Sequence, residues 1–547
     1  MGSRANYPPG TPIARPEKTF YLGGFCLDLR ALCRLWLAST LAEIAMKGST
    51  AFRWAGALAA GLLLVGFLVQ LPQIKAPLLE GAAGKQAHTA MIARNLYTGV
   101  AVFSRPIVDD MGNPGYFVKE IPLIPQSAAW VHETTGLSID ASGRLLGLLG
   151  WLAACLVFFV ALTRAVAMEK ALLALFWAIF SPLAFAYAPA FQNDTAAIAF
   201  SLSTWAILLA WRKDPRFSMA LLAGIFTALS LLLKPHTVFW LAPAAAVLVF
   251  GGTDRPPWRK WLPLALAGII GGLAASTWYL HAAAIHRAFP TPGATVAEGW
   301  IEPALLFTGY FWDELGRQII MMVFTPIGAG LAIVGLSRTS RRHLGEWSLL
   351  AWGAGVVLQD LVFATRFIDE LSHGTEYYQL ALVPVAGLLI SDGILQLRDR
   401  ATRFGPVVVG FALLALGTST PLLAREARTP PPHYKTVIED CARVRDLTHK
   451  TDPFLVFADR SGTILYYCER RGTTFTLAKK ASTVLPGAPP TAGRSDIDRA
   501  VRAARFAYFP FPDQVEDPAF FKTFEERWQE LDMSPSAARL FQQGGTR

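Results

Sequence analysis

Apolar stretches of roughly 17–20 residues recur along this chain between short polar connections, and about 20 apolar residues is the length of helix that crosses a bilayer. The pattern gives about eleven such spans, over 53–72, 145–163, 171–188, 194–211, 217–233, 237–252, 261–280, 319–337, 346–364, 378–396 and 404–423. The connections Arg164–Lys170, Arg212–Arg216, Arg255–Lys260, Arg338–Arg342 and Arg398–Arg403 are basic and follow every second span, so they share one side. Lys and Arg collect in cytoplasmic loops. The N-terminus is therefore expected in the cytoplasm, and an odd number of spans puts the C-terminus outside. The outward connections include the long ones, 73–144, 281–318, 365–377 and the tail after 424.

The flanks read differently. The first 20 residues are polar and Pro-rich with no apolar core, unlike a signal peptide, and Leu29–Met46 with Arg30, Arg34 and Lys47 reads as an interfacial helix. Residues 1–52 are thus expected to form a cytoplasmic tail and interfacial helix, and 53–424 the transmembrane region. In 425–547, helical periodicity in HYKTVIEDCARVRDLTHK is followed by strand-like PFLVFAD and by a helix running into ARFAYFPFP. This predicts a small α/β domain on the outer face. It holds Cys441 and Cys468, which would pair in an oxidising compartment or stay as buried thiols.

Composition agrees with the spans. Of 547 residues 53% are hydrophobic and 16% charged, against about a quarter charged in soluble domains. The net charge of +10 sits in the short connections, so it speaks for membrane anchoring and against a nucleic-acid partner. No Cys-x-x-Cys pair is present among the five Cys, which argues against a cysteine metal site. No repeat marks an inverted-repeat transporter.

The connection 73–144 is roughly 70 residues long, far beyond ordinary interhelical loops, and it is rich in ionisable groups. KQAHTAMIARNLYTG and IPLIPQSAAWVHETTG each predict an amphipathic helix along the interface, the first with Lys85, His88 and Arg94 on its wetter faces. Glu80 reads as a loop acid or a catalytic one, and Glu120 as a helix-start charge or a catalytic one. Asp109 and Asp110 beside Gly112, Asn113 and Gly115 read as turn residues. Asp313 and Arg317 have the spacing of an i,i+4 pair on an outer helix.

The segment Glu80-Gly-Ala-Ala-Gly-Lys85-Gln86-Ala-His88-Thr89-Ala90-Met-Ile92-Ala93-Arg94-Asn95, followed by Glu120-Ile-Pro122-Leu123, resembles the first loop of the GT-C glycosyltransferases. These membrane enzymes take a sugar from a polyprenyl-phosphate carrier, and their bacterial branch includes lipid A aminoarabinose transferases and relatives of protein O-mannosyltransferases. Members carry an acid soon after the first span, a D-x-H-x-W-R-Q-x-D-T-A-x-I-A-R-N-like segment and an E-x-P-L element. Glu80 stands here for their Asp, Lys85 for their Arg and His88 for an acid. LLLKPH, with Lys234 and His236, and HGTEYYQLALVP, with His373, Glu376, Tyr377 and Tyr378, resemble two further family elements.

The resemblance implies an all-α polytopic membrane protein and an inverting glycosyl transfer. It implies Glu80 and Glu120 as the catalytic acids, Lys85, Arg94, Lys234 and His373 at the donor phosphate, and Gln86, His88, Glu376, Tyr377 and Tyr378 positioning substrate. It also implies a bacterial inner-membrane location with the site on the periplasmic side. The donor would be a polyprenyl-phosphate-linked hexose or pentose, and the acceptor a membrane lipid, a polysaccharide or a protein. No side-chain group has diagnostic metal-ligand spacing, which leaves a divalent cation as an open requirement. The rival reading is a transporter or flippase of lipid-linked sugars, which would set its key charges mid-span. Most charges here gather in outer loops, Asp360 being the exception.

Overall fold

The computed structural model describes residues 50–111, 114–251, 261–289, 303–337, 343–364, 375–458, 461–475, 501, 504–512, 525–526, 528–534 and 536–543. Residues 1–49 of the expected tail and interfacial helix lie outside these, as do Arg255–Lys260, Arg338–Arg342 and His373. Contacts divide the chain into Met1–Ala57 and Leu58–Arg547. Of the first unit, only the opening turns of one helix are described.

The helices are α1 (Thr50–Ile74), α2 (Ala83–Tyr97), α3 (Leu123–Thr135), α4 (Ile139–Leu162), α5 (Met168–Phe180), α6 (Pro182–Tyr187), α7 (Asp194–Lys213), α8 (Phe217–Leu233), α9 (Val238–Phe250), α10 (Leu262–Ala288), α11 (Gly309–Arg317), α12 (Pro326–Leu336), α13 (Leu344–Val362), α14 (Val383–Arg400), α15 (Gly405–Arg428), α16 (Val437–Leu447) and α17 (Ser461–Cys468). Each of the eleven apolar stretches is mostly helical over its described residues, but six helices among the described residues are long and apolar enough to cross a membrane alone. A seventh candidate is bent by 86° between Gly309–Phe324 and Pro326–Leu336. The bend follows from a π-helical turn over Gln318–Phe324 and from Pro326, which cannot continue the hydrogen-bond ladder. The third stretch is likewise split, at Ser181-Pro182.

Packing sorts these helices. α7 and α14 are buried on nearly all sides, while α1, α10 and α15 present Leu64, Leu68, Ile269, Leu273, Phe411 and Leu414 outward. Such broad apolar faces belong against lipid. α8 packs on α10 at backbone distance: a Cβ on Gly224 would lie 2.6 Å from the Ala267 carbonyl oxygen, the close approach that small residues permit between membrane helices.

The C-terminal part forms a five-stranded sheet of β1 (Phe454–Phe457), β2 (Gly472–Phe475), β3 (Phe506–Phe509), β4 (Trp528–Leu531) and β5 (Arg539–Gln543), in the order β2-β1-β3-β5-β4. β1 pairs in parallel with β2 and β3, and β5 antiparallel with β3 and β4. Alternation assigns the two faces: Phe454, Val456, Phe506, Tyr508 and Leu540 enter one core, and Leu455, Phe457, Ala507, Phe509 and Phe541 enter another. The first predicted helix and both predicted strand-like runs are thus present, while the helix expected to run into ARFAYFPFP falls mostly outside the described residues. Cys441 of α16 and Cys468 of α17 are joined in a disulfide.

The first of those cores is not confined to the sheet. It continues through Leu78, Ala87, Ala90 and Met91 of the first long connection to Phe191, Ala196 and Leu233 of the helical bundle. α2 therefore differs from the expected interfacial amphipathic helix. It is buried on most of its circumference between bundle and C-terminal layer, because both of its apolar faces find partners. α3 keeps an exposed face, with Trp130 outward.

Candidate active site

Four separate chain segments bring charge to one point at the end of α8. Pro235 forces the residue before it out of helical geometry, and Lys234 accordingly ends α8 in an extended conformation (φ −155°, ψ 104°). Its ammonium donates to Glu120 Oε1 at 2.8 Å and lies 3.6 Å from Asp194 Oδ2. Asp194 opens α7, where a carboxylate also suits the positive helix end. Lys85 in the first turn of α2 donates to the same Asp194 Oδ2 at 3.0 Å. Its ammonium sits 3.9 Å from the Tyr377 ring centroid and 5.5 Å from that of Tyr378, within cation–π range.

Glu120 is carried there by backbone bonds rather than by a cap. Ile121 N–H donates to the Leu232 carbonyl at 3.1 Å. Trp278 of α10 donates to the Lys119 carbonyl at 2.9 Å, and Tyr279 to those of Leu231 and Leu232 at 2.8 and 3.1 Å. Burial alone would raise the Glu120 carboxyl, but the Lys234 and Lys85 ammoniums outweigh it and hold it at about 2. Burial alone would lower Lys85, and Asp194, Tyr378 and Glu120 outweigh that and raise it. All these charges persist at neutral pH, so Glu120 is a counter-ion there and a poor base.

Glu80 is held separately. Its Oε1 accepts from Arg144 at 2.5 Å and from Gln86 at 3.2 Å. Among the described residues no hydrogen bond reaches Oε2. Gln86 also donates to the Gly81 carbonyl at 3.1 Å and accepts from Phe191 N–H at 2.9 Å. Beyond Glu80, Ala82 adopts φ 58° at the start of α2, a conformation disfavoured for a residue with a Cβ. Gly81 leaves no room for a side chain: a Cβ would meet Tyr187 Oη at 2.8 Å and the Ala427 carbonyl oxygen at 3.0 Å.

A cavity of about 730 Å³ begins at Gly81 and Tyr187. Its wall includes Glu376, Arg317, Arg425, Met321 and Met322, the last two from the π-helical turn, together with Thr429–Pro432. Tyr187 donates to Glu376 Oε2 at 2.8 Å, and Arg317 lies 3.5 Å from Glu376 Oε1. Arg317 pairs with Glu314 at 2.6 Å, three residues earlier, instead of with Asp313. The 3-10 turn Glu376–Leu382 thus offers Glu376 to the cavity and the next residue, Tyr377, to Lys85. Tyr187 and Tyr377 rings stand 6.1 Å apart between the two.

Of the residues singled out from sequence, Lys85, Lys234, Glu120, Tyr377 and Tyr378 converge, with Glu80, Gln86 and Glu376 beside them. His88 and Arg94 are directed elsewhere. His88 bonds Asp110 at 2.5 Å, and Arg94 pairs with Asp109 and donates to the Tyr466 carbonyl at 2.7 Å. Arg471 also reaches Asp109 at 3.3 Å. Asp109, read as a turn residue, therefore fastens the first connection to the C-terminal layer, while Asp110, read the same way, pairs with His88 inside that connection. His236 packs among Trp240, Phe363 and Tyr378. Sequence reasoning passed over Asp194, Tyr187 and Arg144. Asp194 had a signal, an acid at the mouth of an apolar span. Among the described residues, no three His, Cys, Asp or Glu are grouped to hold a metal ion.

This architecture, a multi-pass helical bundle whose first long connection and C-terminal α/β layer cover one end, is the GT-C glycosyltransferase fold. ArnT from Cupriavidus metallidurans, bound to undecaprenyl phosphate, matches with a TM-score of 0.61 at 13% identity over 91% of this chain and 99% of that one. The archaeal oligosaccharyltransferase AglB from Archaeoglobus fulgidus, in complex with an inhibitory peptide and a dolichol-phosphate, matches at 0.55 and 12% identity over 90% and 74%. The mycobacterial arabinofuranosyltransferase AftD matches at 0.52 and 16% over 90% and 42%. At these identities the likeness is one of fold. A family described as "Predicted membrane protein (DUF2142)" matches residues 113–302. No curated protein matches by sequence.

Proposed function

We propose that this protein is an integral membrane glycosyltransferase. It moves one hexosyl or pentosyl unit from a polyprenyl-phosphate carrier to an acceptor (a lipid, a polysaccharide or a protein) on the periplasmic side of a bacterial inner membrane. The observation that carries the reading is the meeting of two ammoniums, Lys85 and Lys234, on one carboxylate oxygen of Asp194. Two cations so close suit the oxygens of a phosphate, whose charge grows as the sugar departs. ArnT bound to undecaprenyl phosphate and AglB with a dolichol-phosphate share the fold, which supports a lipid phosphate as the anion.

In this reading Asp194 and Glu120 hold the lysines in register, and Tyr377 and Tyr378 wall the phosphate site. An apolar cleft of about 210 Å³ between α7, α8, α9 and α10 starts at Leu231 and Val238, on either side of Lys234, and suits the carrier's tail. The cavity at Tyr187 and Glu376 admits the acceptor. Glu80 is the base: with Oε1 fixed by Arg144 and Gln86, Oε2 takes the proton of the acceptor hydroxyl. The acceptor oxygen bonds to the anomeric carbon from one face while the carbon–oxygen bond to phosphate breaks on the other. The electron pair leaves on the polyprenyl phosphate, which Lys85 and Lys234 neutralise. Arg94 and His88 act here only in anchoring, and the expected boundaries at 53–424 and 425–547 serve as bundle and cover.

The test is cleavage of defined polyprenyl-phosphate sugars by purified protein, with an envelope extract as acceptor source. Glu80→Gln is expected to lower kcat by about 10²–10⁴-fold, the usual size of general-base help. Glu120→Gln is expected to raise the donor KM. Full activity in Glu80→Gln would remove Glu80 from its role.

A further inference from the structure

Asp140 and Arg144 stand four residues apart at the start of α4, on one face. Arg144 donates to the carbonyls of Ala76 and Pro77 at 2.9 and 2.7 Å as well as to Glu80. Asp140 faces the other way along the chain, to two tyrosines of α17: Tyr466 Oη donates to its Oδ1 at 2.5 Å, and Tyr467 Oη to its Oδ2 at 2.8 Å. The two hydroxyls differ in one respect. Tyr467 Oη also accepts from the backbone N–H of Leu78 at 2.5 Å. Burial and the Asp140 carboxylate push both phenols well above their ordinary value, so both remain protonated donors.

We infer that Tyr467, contributed by the C-terminal layer, is a positioning residue for the segment that carries Glu80. Its hydroxyl closes a ring of contacts: Asp140, Tyr467, the Leu78 amide, the chain to Glu80, and Arg144 back to α4. Leu78 and Leu79 are fully buried, so the segment cannot shift without moving that amide. The disulfide from Cys441 holds Cys468, the residue next to Tyr467, at the end of the same helix. The helix α17 thereby acts on the reaction without lining the cavity. This inference rests on the proposed role of Glu80.

The two tyrosines supply their own control. Tyr467→Phe and Tyr466→Phe each remove one hydroxyl and one bond to Asp140, but only the first releases the Leu78 amide. Tyr467→Phe is expected to lower kcat by about tenfold or more, as small misplacements of reacting groups do, with the donor KM unchanged because Lys85 and Lys234 are untouched. Tyr466→Phe should stay within about threefold, the scale of a single hydrogen bond. Amide hydrogen exchange of residues 78–81 should quicken in Tyr467→Phe alone. Equal behaviour of the two variants in both readouts would overturn the inference. If Glu80→Gln keeps its full rate, the base assignment fails instead, and the exchange contrast alone decides whether Tyr467 holds the segment.

Discussion

Two lysine–carboxylate clusters lie at different depths of the bundle, and they are built from the same residue types. Lys170 pairs with Glu346 and lies 2.5 Å from Asp392, with side-chain exposures of 8%, 7% and 2% for the three. Lys234 pairs with Glu120 and Asp194, but a second lysine joins it, and Lys85 and Glu120 keep 26% and 25% exposure. α14 connects them: Tyr377 and Tyr378 stand at its entrance, and Asp392 lies about four turns further on. One cation sealed between anions ties helices together and has nothing to offer a ligand. Two cations on one side of an opening, each held by its own carboxylate, can take a shared anion. Residue identity does not separate the two clusters; the extra cation and the access do.

The largest expected effect separates them directly. Lys234→Met should lower donor turnover by about 10²–10³-fold, the scale of losing one electrostatic contact to developing charge. Lys170→Met should leave turnover per folded molecule unchanged and lower stability by about 3–5 kcal/mol, because Glu346 and Asp392 then remain buried without their cation. Thermal unfolding beside donor-cleavage rates reads both. Loss of turnover in Lys170→Met at full folding would erase the distinction.

A smaller effect comes from the wall between cluster and cavity. Gly81→Ala puts a Cβ 2.8 Å from Tyr187 Oη and 3.0 Å from the Ala427 carbonyl oxygen. Overpacking of this kind costs about 1–3 kcal/mol, and a lowered unfolding midpoint should accompany a raised acceptor KM. An unchanged midpoint would mean that α15 and Tyr187 yield freely there.

The smallest effect is on pH. The Glu120 carboxyl is held at about 2 by Lys234 and Lys85 against its burial. Its stabilising share is complete above the ordinary value of about 4.3 and is lost as pH falls from there towards the folded value. Lys85 is raised, so its share is complete below the ordinary lysine value of about 10.4 and is lost above it. Stability contributed by this cluster should be flat from about pH 5 to pH 9. Acid unfolding should show a component below about pH 4 that Glu120→Gln removes.

The helical character of the apolar stretches and the convergence of Lys234, Lys85 and Glu120 were legible because each follows from a local rule: hydropathy, the residue before proline, or a short motif. Arg94 was misdirected by the same short motif. It lies nine residues beyond Lys85, and at about 100° per residue that is the opposite side of the helix. A helix exposed on one face could not send both residues to one phosphate; a helix buried on both faces sends one to each partner, which is what α2 does. Asp194 stayed hidden because an acid at a helix start is ordinary in isolation. Its role comes from two lysines more than a hundred residues away on one side and forty on the other. The α/β layer was visible in alternating apolar runs, but its shared core with α2 depends on packing that no run encodes.

The most direct measurement is the affinity of purified protein for a polyprenyl phosphate, compared among the wild type, Lys85→Met, Lys234→Met and Lys170→Met. If Lys85 and Lys234 form the phosphate site, wild type and Lys170→Met bind alike, and each of the other two loses about tenfold or more, the scale of a charge-assisted contact. Equal affinity in all four, with folding intact, would contradict the assignment of the phosphate to the pair of lysines on Asp194.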